Sequence, residues 1–472
     1  MNKTGMTLDY NIRDIAFVIF FTSAQFSNLF AKLLGNNLGS LLLSLVMLVV
    51  YSLAFYEDIK VSKGKGSLYF LLVFILVQVI FLLSYVFNPE LTPWLTDSNW
   101  GLQIRFYPPV SGFYALLVLL LVRNPKKILQ DFKIVVVIRF IHSLLAYRNF
   151  LAQGGWLIRR SDGMSQYLSE YNMSFGYSMA FIAVISFAIL YLYKEYFYGA
   201  IGVISMLLSV LYGSRGVFLV FGSFLVLFFF VLDRNNKIKM LHFVLQGFTL
   251  LLIFLILKNK NISIIAMLPL LVSSGLFLGI YLFSSNQSMR KLLLIIQILS
   301  LLPVIILMAN SIIFGAEGVT TGYRNLDKLL NLSFAEANGR DIIWMNALDG
   351  IKTLFPFGNG AYGDRPYIDP TFLWGYSHNI FLEMTLSFGL IGLAFIFYVG
   401  FLSAKEIFSK KVNIEYKMLL VIFLSASTKL LISDSFWFSI EFWGWMALLI
   451  FRHELRQELK HDNVLRGQSY EK

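Results

Sequence analysis

Apolar runs of about 20 residues, the length that spans a bilayer, recur along nearly the whole chain, separated by short polar or basic turns. The pattern predicts helices over 15–34, 37–56, 67–87, 108–122, 134–151, 174–193, 198–212, 217–232, 241–257, 262–283, 292–314, 379–403, 416–433 and 436–451. That makes about fourteen membrane-spanning helices with both termini on one side. The first run follows a polar stretch, "MNKTGMTLDYNIRD", and has no small-residue cleavage site after it, so it reads as a retained helix. No internal repeat and no second soluble domain breaks the pattern, and 1–472 is expected to form a single membrane domain.

Composition agrees with that reading. The chain is 57% hydrophobic and 14% charged, against about 25% charged residues in a soluble domain, and its mean hydropathy is +0.70. The expected fold class is an all-α polytopic integral membrane protein. There is no cysteine, which excludes disulfides, thiolate chemistry and cysteine-held metals. The formal charge of +12 comes largely from basic turns: "EDIKVSKGKG", "RNPKKILQDFK", "DRNNKIK", "SMRK", "AKEIFSKK" and the tail from Arg452. Together with Lys3, Arg13 and Lys194 these hold more than half of the Lys and Arg and fall on one face, which the positive-inside bias makes cytoplasmic. Nucleic acid is therefore not an expected partner. "KNKN" at 258–261 breaks the alternation.

On the opposite face, residues 314–378 form one segment far longer than an ordinary helix connection. Within it, "EANGRDIIWMNALDGIKTLFPFG" reads as an amphipathic helix with Asn338 as N-cap, Trp344, Leu348, Ile351 and Phe355 on one face, and Pro356 and Gly358 as its stop. Arg340 falls in its first turn on the face of Trp344. A helix start favours anions, and an arginine fork there makes a phosphate or pyrophosphate clamp. An exposed surface arginine fits the same position. Arg215 occupies a tight external turn, "LYGSRGVFL", where Ser214 can cap the next helix. A snorkelling interfacial arginine is the bland alternative. In "WGYSHNIFLEM" Ser377 reads as an N-cap, which puts His378 in the first helical turn, where the dipole favours the neutral imidazole a general base needs. Glu383, five residues on, reads as a structural acid. Gly389 and Gly392 read as sites of close helix packing. Arg139 and His142 share a face of the short fifth helix, with Arg139 near its cytoplasmic end. External aromatics, among them Trp94, Trp156, Tyr362 and Tyr376, serve either as sugar platforms or as an interface belt.

"GSRG" at 213–216, "GRDIIWMNALDGIKTLFPFGNGAYG" at 339–363 and "SHNIFLEMTLSFGLIGL" at 377–393 resemble, in that order, the O-antigen ligase/polymerase superfamily. The resemblance implies a GT-C-type glycosyltransferase of the bacterial inner membrane, acting on the external face without metal, cofactor or nucleotide sugar. It implies a donor glycan on undecaprenyl pyrophosphate, with Arg215 and Arg340 holding the pyrophosphate, His378 as base, Asn379 beside it, and Ser214 and Trp344 in support. Besides membrane lipid, a chain-length regulator and a flippase are the protein partners such an enzyme would have. Arg324, Lys328, Arg365, Arg159 and Arg160 are alternative phosphate ligands, and Asp364 and Asp369 alternative bases. Within the family the long loop favours a repeat-unit polymerase of O-antigen, capsule or exopolysaccharide over a ligase to lipid A core. A lipid-linked oligosaccharide flippase is the reading from another class. A reporter fused at residue 350 is expected to report the external side and one at Lys410 the cytoplasm; cytoplasmic signal at residue 350 would overturn this topology.

Overall fold

The computed structural model describes residues 11–97, 101–109, 111–159, 166–232, 295, 340–368 and 375–452. The helices expected over 241–257, 262–283 and 292–314 lie outside the described residues, apart from residue 295, which is helical. The described helices are α1 (Ile12–Phe21), α2 (Ser23–Leu34), α3 (Asn36–Ser62), α4 (Lys65–Phe87), the short α5 (Thr92–Leu95) and α6 (Gln103–Phe106), α7 (Tyr114–Val122), α8 (Pro125–Gln153), α9 (Met173–Tyr193), α10 (Tyr196–Tyr212), α11 (Gly216–Val231), α12 (Arg340–Leu354), α13 (Ile380–Phe408) and α14 (Ile414–Ser427). A last helix, α15, covers 440–452. Among the described residues α3, α4, α9 and α13 are long and apolar enough to cross a membrane, five spans if the bent pair α1 and α2 counts as one.

α7, α9 and α14 form the centre: Leu116–Leu121, Met179–Ile185 and Met418–Phe423 have essentially no exposed surface. α3 and α4 instead turn leucines outward, Leu41, Leu45, Leu48, Leu72 and Leu82 among them, a surface suited to lipid. On the side of the basic turns, ionic staples fix the helix ends. Asp58 accepts from Arg123 at 2.7 Å and from Ser62 and Ser67, and Lys127 pairs with Asp14 at 3.2 Å.

Several expected boundaries are corrected. Residues 15–34 are not one helix: the chain bends by 74° between α1 and α2. Thr22 sits at the bend and returns its hydroxyl to the Val18 carbonyl at 2.6 Å, the back-bonding that bends helices. The fifth long run extends further than expected because Pro125 takes a first-turn position behind the Asn124 cap. Arg139 is thereby moved from a helix end to the middle of α8. Residues 108–122 yield only the short α7, and the last two runs are separated by a 3-10 turn, Thr428–Leu431, and an irregular stretch to 439. An antiparallel hairpin, β1 (Trp156–Arg159) with β2 (Gln166–Ser169), interrupts the all-α expectation, with Trp156 opposite Ser169.

The feature that positions the site is a break in α13. Gly389 is left-handed (φ 61, ψ −142). The freed groups find partners in the chain after α12. Asn359 and Gly360 donate their N–H groups to the Leu386 and Ser387 carbonyls, both at 2.7 Å, and Leu390 N–H donates to the Pro356 carbonyl at 2.9 Å. The wedge is held on its other side by α4: Ser84 Oγ accepts Ala361 N–H at 2.7 Å, and Asn88 donates to the Asn359 carbonyl at 2.8 Å. Gly389 follows the start of α13 by nine residues, about 13 Å at 1.5 Å per residue. Residues 358–361 thus pack between helices, and a broken helix at this depth persists because protein covers it.

Gly389→Ala is expected to disrupt this joint. A Cβ at Gly389 would lie 1.9 Å from the Pro356 oxygen, and a side chain in left-handed backbone costs about 1–2 kcal/mol before about 1–3 kcal/mol of overpacking. Thermal unfolding in detergent should fall markedly, whereas Gly400→Ala, with open space at its Cβ, should match the parent.

Candidate active site

His378 precedes α13 in a left-handed conformation (φ 52), a region histidine, asparagine and aspartate enter more readily than most residues. It is therefore not in the first helical turn, and Ser377 is not the cap. Asn379 is: its side-chain oxygen accepts from the N–H groups of Phe381 and Leu382 at 2.9 and 3.3 Å. The Asn379 amide also donates to the Leu431 carbonyl at 3.2 Å, tying the helix start to the turn after α14. Ser377 is committed elsewhere. Its N–H donates to Asp364 Oδ2 at 2.9 Å, and its carbonyl accepts from Trp344 Nε1 at 3.1 Å. The peptide before His378 is thus gripped from α12 and from the wedge at once.

Arg340 opens α12, and Trp344 stands one turn further along the same face. Docking of Trp344 on Ser377 brings the Arg340 charge to bear on His378. Arg365 is buried, donates to the Gly375 carbonyl, and lies over the rings of Tyr362 and Tyr376 at 5.1 and 5.6 Å. Tyr376 packs on the imidazole with ring centroids 4.1 Å apart. Burial first, then the Arg340 and Arg365 charges, push His378 down to about 4. The imidazole is neutral at physiological pH, as expected, but burial and two arginines take the part assigned to the helix dipole. His378 Nδ1, Asp364 Oδ1 and Arg365 Nη2 are buried without hydrogen-bond partners among the described residues.

Charges that the sequence reading passed over complete the surroundings. Lys429 is buried and pairs with Asp434 at 3.0 Å and Glu441 at 2.9 Å. Asp434 is left-handed like His378 (φ 64), and its N–H donates to Tyr376 Oη at 3.0 Å. Glu383, read as a structural acid, is buried and accepts from Ser435 Oγ and from Phe436 N–H at 3.3 Å, fastening the stretch that carries Asp434. The signal was available: three charges within 429–441 of an otherwise apolar run are costly unless paired. Trp156 and Tyr362 are buried and serve packing instead of a sugar platform.

Arg215 and Ser214 belong to the turn between α10 and α11. Arg215 itself occupies the N-cap position of α11, and the expected Ser214 cap does not form: Ser214 Oγ is buried without a partner among the described residues. The backbone does not bring the Ser214 hydroxyl to the next N–H groups; its carbonyl accepts from Val217 N–H at 3.1 Å instead. A chain of contacts nevertheless leads from this turn to the imidazole. A Cβ at Gly216 would fall 1.9 Å from Tyr177 Oη, Lys429 lies 5.4 Å from the centroid of the Tyr177 ring, and Lys429 holds Asp434 beneath Tyr376. Arg324, Lys328, Asn338, Arg160 and Asp369 lie outside the described residues, as does the side chain of Arg159.

The family described as O-Antigen ligase matches residues 246–397. The match takes in α12, the wedge, His378 and the first part of α13 but not Arg215; it covers about a third of the chain, and it is a likeness of that stretch to the family. Comparison with the curated proteins and with the solved structures returned no match.

The depressed His378 sets a pH dependence. The unfolded chain takes up this proton near the ordinary value of about 6.5, whereas the folded chain takes it up only near 4. Stability is therefore expected to fall as pH drops from 6.5 to 4, with no further loss from this group below. Arg340→Gln removes a repelling charge, so the His378 titration, followed by NMR of histidine-labelled protein and assigned with His378→Gln, should move up toward 6.5. An unmoved midpoint would mean that Arg340 does not reach the imidazole.

Proposed function

We propose that the chain is a polymerase of lipid-linked oligosaccharide repeat units, acting on the external face of the bacterial inner membrane with His378 as its general base. One observation carries this reading: a half-buried, neutral imidazole whose buried Nδ1 has no partner among the described residues, within electrostatic reach of Arg340 and inside the stretch that matches the O-Antigen ligase family. The acceptor sugar hydroxyl gives its proton to His378 and its oxygen attacks the anomeric carbon. The bond from that carbon to the donor pyrophosphate breaks on the opposite face, so the centre inverts and undecaprenyl pyrophosphate leaves with the electron pair. Arg215 and Arg340 balance the charge that develops on the leaving group. Residues 314–378 supply this external part of the site.

The arginines also govern the base. An imidazole near 4 is weaker than a base working near neutrality requires. Part of that weakness comes from Arg340 and Arg365, and a pyrophosphate bound at Arg340 would offset it. Donor binding would thus raise the basicity of His378 when a leaving group is present. A ligase transferring finished glycan to lipid A core would use the same chemistry with another acceptor; the long external segment favours the polymerase.

His378→Gln keeps the shape without a useful proton acceptor and is expected to lower transfer by about 10²–10⁴-fold at normal protein level, with single lipid-linked repeat units accumulating. Arg340→Lys should retain part of the activity of the parent, since charge stays while the bidentate fork is lost, and Arg340→Ala none. Normal-length polymer from His378→Gln would overturn the assignment. Finished polymer accumulating on the carrier lipid in a deletion strain would indicate the ligase.

A further inference from the structure

Away from His378, the Arg139 guanidinium stands at membrane depth without a carboxylate paired to it among the described residues. Arg139 stands fourteen residues above the first residue of α8, about 21 Å up a hydrocarbon layer about 30 Å thick. It donates to Ser178 Oγ at 3.0 Å and lies 5.5 Å from the Phe181 ring centroid, and its Nε is buried without a partner. No carboxylate among the described residues pairs with it: Glu441, which acts on it electrostatically, is held by Lys429 at 2.9 Å. An arginine at such depth is costly to insert, and an unsatisfied buried donor calls for an explanation.

Its neighbours are polar as well. One turn outward, His142 Nε2 lies 3.3 Å from Asn28 Nδ2 on α2, and Lys32 is within electrostatic reach of the same ring. Gln25, on α2, has its Oε1 buried without a partner. α1 has ten residues, about 15 Å of rise, and begins at the level of the Asp14–Lys127 pair; the 74° bend then lays α2 across the upper part of α8. Asn28 and Lys32 are exposed, and Arg139 and His142 are partly exposed. Flanking them, Leu29, Leu33, Ile141 and Leu145 face outward, a track for an apolar tail.

We propose that the notch between α2 and α8 binds the phosphate of an outer-leaflet polyprenyl lipid, with Arg139 and Lys32 as its cationic ligands and His142 and Asn28 as hydrogen-bonding groups. A guanidinium fork and an ammonium match a tetrahedral phosphate, and the leucines beside them suit the chain attached to it. Ser178 follows Tyr177 in α9, and Tyr177 Oη lies against Gly216, next in sequence to Arg215. A polymerase takes two lipid-linked substrates, and this would be a second place for such a headgroup. The binding claim rests on the topology and not on glycosyl transfer.

The test is native mass spectrometry of the purified full chain with a polyprenyl monophosphate, in an Arg340→Gln background that silences the proposed donor clamp. The expected result is a retained lipid adduct that Arg139→Gln lowers at least tenfold. Lys32→Gln, at an exposed position that leaves folding intact, should lower it several-fold. An adduct insensitive to both substitutions overturns the site. Equal retention of a zwitterionic lipid, or displacement by millimolar inorganic phosphate, overturns the lipid-phosphate assignment. Because no turnover is read, a failure here is separate from a failure of His378 in transfer.

Discussion

Within a bilayer an unpaired peptide group has no water to turn to, and α13 meets that constraint at Gly389. Breaking the helix frees carbonyls at Leu386 and Ser387 and an N–H at Leu390, and the chain after α12 takes up all three. The exchange holds α12 alongside the first half of α13, and from that placement Trp344 reaches the Ser377 carbonyl. The left-handed His378, the packed Tyr376 and the electrostatic reach of Arg340 all follow from a backbone repair about two and a half turns deeper. Backbone held off its ordinary conformation at His378 and Asp434 is the kind of strain that surrounding structure must over-determine, and here grips from Asp364, Trp344, Asn379 and Glu383 do so.

The second organising force is the handling of charge away from water. Lys429 sits between two carboxylates, and Asp364 lies 3.7 Å from Arg365. Removing one partner of such a buried pair leaves the other uncompensated, at a cost of several kcal/mol. His378 belongs to the same scheme from the other side: with cations around it and little solvent, it remains uncharged. The region therefore joins an ionic frame to one imidazole whose proton affinity is held down by burial and by the arginines near it.

Much of this was legible in the sequence. The 20-residue apolar period marked α4, α9 and α13 closely, and the family motifs led to Arg340, Trp344, His378 and Asn379, which the fold gathers around one helix start. Periodicity could not see the bend at Thr22, because a hydroxyl returning to its own helix leaves the apolar pattern unchanged. It also missed the irregular stretch before α15, where the composition stays apolar while the backbone departs from helix. The cap was misassigned by two residues because serine and asparagine are near-equal caps by type, and the fold turns the Ser377 hydroxyl to the Asn379 carbonyl, at 3.3 Å, with left-handed His378 between them. Arg139 was misjudged for a related reason: the polar residues after Pro125 concealed a helix that continues through them.

The wedge has a consequence for how the protein is made. Residues 355–361 leave the ribosome before α13, and their partners on α13 do not yet exist; Ser84 and Asn88 on α4 do, and can hold Ala361 and Asn359 in the interval. When α13 enters the bilayer it arrives as a helix that cannot be completed from its own peptide groups. Insertion of the span and closure of the loop are thus one event, completed only when strand-like hydrogen bonds form between two segments that the sequence presents as a loop and a helix. A lesion in either segment should surface as failed membrane insertion of the other, with a defect written in the loop appearing as the loss of a transmembrane helix.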